Sequence, residues 1–79
     1  GGLLKHIVRA MHEDRAGRRW FGTDQGLVKL EDGNFTLYQV KDGLSHQLIT
    51  ALYEDRAGVL WIGTYHGLTR LKDGVFTAY

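Results

Sequence analysis

Cysteine is absent from the chain, which removes both a disulfide framework and any thiolate metal site and leaves the redox compartment open. Charge of one sign is also lacking: ten basic and nine acidic residues are interspersed, for a formal net charge of +1. So weak a field draws in neither polynucleotide nor anionic lipid, and no nucleic acid and no membrane partner is expected. No apolar run approaches the roughly 20 residues that cross a bilayer, and no basic, apolar leader opens the sequence. The expectation from these absences is a soluble segment without an export signal. At 79 residues it makes one small domain, which lacks the usual staples and has to draw stability from packing, between chains if necessary.

What is present is a repeat. Residues 2–38 lie over residues 43–79 without a gap, 41 positions apart, and 19 of the 37 pairs are identical. The identical residues are mostly turn formers and apolar residues, among them Gly17/Gly58, Trp20/Trp61, Gly22/Gly63 and Asp14/Asp55. A copied segment of this length means one supersecondary unit stacked on another.

Glycine-containing turns cut each copy into short pieces rich in β-branched and aromatic residues, which is a strand pattern. The expected strands are 7–13, 18–23, 27–31 and 34–38 in the first copy and 48–54, 59–64, 68–72 and 75–79 in the second. Asp55-Arg56-Ala57-Gly58 joins the first two strands of the second copy and Asp73-Gly74 turns the last two; these are turn sequences with a mechanism. Links so short cannot cross over between parallel strands, so each copy reads as an antiparallel meander. The strand over 48–54 is apolar on both alternating sets, Leu48 and Leu52 on one and Ile49, Ala51 and Tyr53 on the other. A sheet apolar on both faces has to be covered on both. Four antiparallel strands, about 40 residues per unit and two apolar faces indicate all-β architecture of the β-propeller type. Residues 1–38 form the first blade; residues 39–79 form a link followed by the second.

Propellers close with about 4 to 8 blades, so two blades leave two apolar faces that a monomer rarely tolerates. Head-to-tail association of identical chains closes a ring only at even blade numbers here, six from a trimer or eight from a tetramer, with eight preferred. Copies of the same chain are therefore the expected partners.

The stretch I-T-A-L-Y-E-D-R-A-G-V-L-W-I-G-T-Y-H-G-L-T-R-L-K-D-G-V-F-T-A-Y over 49–79 strongly resembles the regulator-propeller repeat, which fills the sensor region of bacterial hybrid two-component systems. The first copy departs from that pattern at Arg18-Arg19-Trp20-Phe21. The resemblance implies an extracytoplasmic sensor propeller that binds oligosaccharides and relays binding to a histidine kinase. Such receptors carry many blades, a further β-domain, a membrane span and kinase modules. A two-blade chain is similar to an excised or engineered fragment of one.

On a propeller the loop between the second and third strands shares a face with the link to the next blade, and residues there are free of packing duty. That face is expected to hold Asp24, Gln25, Tyr65 and His66 with Lys5, His6, His46 and Gln47. An aromatic ring, imidazoles and carboxylate or amide groups suit a sugar, whose C–H bonds pack on a ring while its hydroxyls take the polar groups. The four histidines, His6, His12, His46 and His66, match no zinc spacing, so no metal is expected. Glu13-Asp14 and Glu54-Asp55 are adjacent on strands and point to opposite faces, which rules out joint acid–base work on one bond. Asp14 and Asp55 read as acceptors that cap turns, and Trp20 and Trp61 as packing between blades. Arg15, Arg18 and Arg19 read as a solvated rim. No catalytic residues and no cofactor are expected, and an enzyme is not indicated.

Overall fold

A computed structural model of the chain describes residues 7–79. Within them the chain is all-β: β1 (Val8–Glu13), β2 (Arg19–Thr23), β3 (Gly26–Glu31) and β4 (Asn34–Tyr38) make one four-stranded sheet. A second is made by β5 (Ile49–Glu54), β6 (Leu60–Thr64), β7 (Gly67–Lys72) and β8 (Val75–Ala78). Each neighbouring pair is antiparallel and each sheet keeps its chain order, as the short links require. This is consistent with propeller blades, and the strands of the two copies fall at matching positions.

The turns form for local reasons. Asp32 and Gly33 both take positive φ, 53° and 79°, and Asp73 and Gly74 repeat this at 51° and 78°. Two consecutive left-handed residues make the tight hairpin whose twist matches that of the strands it joins, and Asp-Gly is the pair that tolerates it best. The link between the sheets is more ordered than a plain crossing segment. It contains a 3-10 turn over Val40–Asp42, where the Gln39 N–H donates to Asp42 Oδ2 at 2.8 Å and the Gly43 N–H to the Val40 carbonyl at 3.0 Å.

Simple alternation along the first expected strand of each copy fails at one place. Register shifts between Ile49 and Ala51, and at the same point of the first copy between Val8 and Ala10. The extra residue resets which side the following residues face. Ile49 therefore turns inward with Leu52, while Tyr53 is left exposed, instead of Ile49 sharing a side with Ala51 and Tyr53.

The pairing registers sort the residues onto faces. In the first sheet His12, Trp20, Lys29 and Thr36 lie side by side, next to the row Ala10, Gly22, Leu27 and Tyr38. The second sheet meets this face with Leu52, Ile62 and Thr69 and with Glu54, Leu60, Leu71 and Phe76. Trp20, Leu27, Ile49, Leu60, Ile62 and Leu71 are buried in the resulting core, joined by Leu44 from the link. Gly22 is where the sheets come closest, since a Cβ there would collide with the Ile49 side chain.

Candidate functional site

The first turn of each copy is built around its aspartate. Asp14 Oδ1 accepts from the N–H groups of Ala16 and Arg18 at 3.0 and 2.9 Å, and Oδ2 accepts from Trp20 Nε1 at 2.8 Å and Arg18 Nε at 2.7 Å. Burial alone would raise the Asp14 pKa, but the indole, backbone and guanidinium donors together hold it below the usual carboxylate value. Asp55 is placed alike, accepting from Ala57 N, Val59 N and Trp61 Nε1 at 2.9, 3.0 and 3.0 Å. The Trp61 bond leads the effects that lower its pKa, ahead of the Val59 and Ala57 amides, with Arg15 adding an attraction through space. Val59 stands where Arg18 stands in the first copy, so this carboxylate lacks the guanidinium bond that Asp14 has.

Polar contacts between the sheets gather at the same end. His12 Nε2 and Glu54 Oε1 are 3.0 Å apart, the Arg15 N–H reaches Glu54 Oε2 at 3.4 Å, and Arg15 donates to the Arg56 carbonyl at 2.6 Å. A cavity between the sheets brings Asp14, Arg18, Trp20 and Tyr38 opposite Leu60 and Phe76. Arg15 and Arg18 are thus committed to protein groups. Arg19 lies on the other side of its strand, mostly exposed and in loose contact with Glu13 at 3.8 Å.

The loop face holds a second grouping. His46, Tyr65 and His66 come together, with ring centroids 5.8 Å apart for His46 and Tyr65, 5.0 Å for the two histidines and 4.8 Å for Tyr65 and His66. His46 Nδ1 accepts the Leu48 N–H at 3.1 Å, so in the neutral ring the proton sits on Nε2, which is a donor and not a free metal ligand. Among the described residues no group of three or more histidines and carboxylates is arranged to hold a metal ion. Asp24 and Gln25 serve the loop itself: Asp24 Oδ1 accepts the Ile7 N–H at 3.1 Å, and the Gln25 carbonyl accepts Gln39 Nε2 at 3.2 Å. Gln47 is exposed. Lys5 and His6 lie outside the described residues.

Beneath that grouping is a hydroxyl network that sequence reasoning missed. Ser45 Oγ is 2.9 Å from both Thr64 Oγ1 and Thr69 Oγ1, the Ser45 N–H donates to Thr69, and Thr64 donates to the Gly67 carbonyl. It fixes the link that carries His46 against the loop that carries Tyr65. The chain's one serine was the available signal, but only the fold shows which threonines it meets.

Residues 43–66 match the family model described as the two component regulator propeller. Over those residues the chain is similar to that propeller repeat. The match covers the end of the link, β5, β6 and the turn with Tyr65 and His66, and the first copy aligns with the second residue for residue. No curated protein matches the chain. Among the described residues no helix is long and apolar enough to cross a membrane.

With its two four-stranded sheets stacked, the chain has one face pair covered and one uncovered. Trp20 and Tyr38 are on the covered face of the first sheet, ring centroids 6.3 Å apart and planes at 31°. Trp61 and Tyr79 repeat the arrangement at 6.1 Å and 31°, but on the side of the second sheet turned away from the first. Trp61 thus packs between blades only if something covers that side. Tyr53, Leu68 and Tyr79 lie exposed there, and Met11, Phe35 and Leu37 lie exposed on the outer side of the first sheet.

Proposed function

We propose that the chain is a self-assembling propeller unit whose role is structural: it closes a ring with copies of itself and serves as a protein-interaction scaffold. The observation that carries this is the relation between the faces. Shifting by one repeat turns the covered pair, Trp20 and Tyr38 against Ile62 and Leu71, into Trp61 and Tyr79 against Phe21 and Leu30. These are the two faces left open. The uncovered sides of one copy therefore have the shape and chemistry of the two halves of its own internal interface, which is what heterologous, ring-forming association needs. Three copies give six blades and four give eight.

The reading is not enzymatic. Asp14 and Asp55 are taken up by turn amides and indoles, and Glu54 by His12 and Arg15. Assembly makes thermal stability depend on mass action. The unfolding midpoint is expected to rise as protein concentration is raised about a hundredfold; an invariant midpoint would contradict the reading.

A second reading is favoured by one observation, the contact of His46, Tyr65 and His66 on the loop face. It is that of a glycan-binding extracytoplasmic sensor module. An aromatic ring beside the imidazoles of His46 and His66 suits a sugar. In a glycan array this reading expects binding that disappears in Tyr65→Ala and His66→Ala while the mass of the assembly stays constant; no binding by the parent chain would dismiss it.

A further inference from the structure

We propose that in the assembled ring Arg19 of one copy supplies the guanidinium for Asp55 of the next, making the seam between copies the internal interface with its arginine moved to the opposite side. The inference rests on the ring reading and adds to it the contact that orders the blades. At the internal interface, Asp14 is held by Trp20 and by Arg18 of its own turn, at 2.8 and 2.7 Å. The sheet packed across from them contributes the buried Leu60 to the same cavity. One arginine and one aliphatic residue thus share that space.

One repeat further on, both positions change together. Val59 takes the place of Arg18 and is buried; Arg19 takes the place of Leu60. The seam again combines one arginine and one aliphatic residue, with the arginine now coming from across the interface. Asp55 keeps its bond to the Trp61 indole, while Arg15, which donates to the Arg56 carbonyl, acts on it only through space. The Asp55 carboxylate therefore has acceptor capacity open on the side where the next copy docks. Arg19 is free to fill it: its side chain is 61% exposed and its contact with Glu13 is loose. Glu13 is in turn the counterpart of Glu54, which reaches across to His12 and the Arg15 N–H. At the seam Glu13 turns to Tyr53 and Arg56 of the next copy and releases Arg19. Arg19 then lies over the Trp61 ring as Arg18 lies over Trp20, 5.9 Å from its centroid.

The exchange also discriminates. A first sheet packed on another first sheet would bring Arg18 and Arg19 together on one carboxylate, and a second on a second would leave Asp55 with Val59 and Leu60. Only alternation gives each carboxylate one guanidinium, which is specificity by charge count as much as by attraction.

The test is a double-mutant cycle read on the dissociation constant of the assembly by sedimentation. Val59→Arg is expected to weaken assembly about tenfold or more while Arg19 is present, because two guanidinium groups then compete for Asp55. In an Arg19→Leu background the same change is expected to strengthen assembly and bring the constant back to within about threefold of the parent. An effect of Val59→Arg that is the same in both backgrounds would overturn the proposal. Should Val59→Arg fail to fold, Arg19→Glu at the exposed position reads the same contact: loss of assembly with an unchanged far-ultraviolet spectrum supports it, and unimpaired assembly refutes it. A parent chain that is monomeric throughout would instead refute the ring reading beneath it.

Discussion

Asp14 shows how much one side chain settles. With its carboxylate almost fully buried and four donors aimed at it, replacing it with Asn puts an NH2 either against both the Trp20 indole and the Arg18 guanidinium or against the Ala16 and Arg18 amides. Two donors then lose their acceptor, and the unmet buried donor costs about 1–3 kcal/mol. Chemical denaturation of Asp14→Asn is expected to show a loss of that size. The same carboxylate sets a pH dependence. Its pKa is lower folded than unfolded, so its contribution is complete at neutral pH. The contribution fades as pH falls below the ordinary carboxylate value of about 4 and on through the depressed folded value. Unfolding free energy followed from pH 7 to strongly acid pH should therefore fall more steeply in the parent than in Asp14→Asn; parallel curves would contradict this. The two glycines at the inner strands separate fold from assembly. Gly22→Ala drives a methyl into Ile49 and is expected to destabilise the chain itself by about 1–3 kcal/mol. At Gly63 the nearest atom to an added methyl is Thr50 Oγ1 at 3.2 Å, so Gly63→Ala is expected to spare the isolated chain and to weaken association, where Val8 of the next copy takes the part of Ile49.

At the level of strands and turns, the Asp-Gly hairpins carry a cost that can be isolated. Gly74 has φ at 78° and open space around its missing side chain, so Gly74→Ala adds backbone strain and no clash, worth about 1–2 kcal/mol. A thermal melt should show this loss with the strand content unchanged. These hairpins, the eight strands and their pairing were legible in the sequence because each rests on neighbours in the chain: Asp-Gly for the turns, β-branched and aromatic runs between them. What was not legible depends on contacts across the fold. The bulge before Ala10 and Ala51 leaves no mark in the alternation of residue types, yet it decides that Ile49 faces inward. The 3-10 turn over Val40–Asp42 is closed by one side-chain acceptor, Asp42, in a stretch whose Gly43 suggested only a link. Of the loop residues expected at a binding face, His46, Tyr65 and His66 do meet. Asp24 is drawn instead into a bond to the Ile7 backbone, a use that local sequence cannot distinguish from ligand binding.

In the whole molecule the decisive feature is which faces are covered. The repeat itself announces two stacked units, and the buried pair of Trp20 and Leu60 shows how one unit sits on the next. On the proposed reading the open pair is not generic apolar surface but the two halves of that same interface on opposite sides of the molecule, Tyr79 and Tyr53 on one and Met11 and Phe35 on the other, all more than half exposed. Such faces in water favour association, and their head-to-tail disposition favours a closed ring over a simple twofold dimer. The measurement that bears most directly on this is the native mass of the unmodified chain in solution across a dilution series. A single species of three or four times the 8.9 kDa chain is the predicted result, and a monomer or a twofold dimer at every concentration would contradict it.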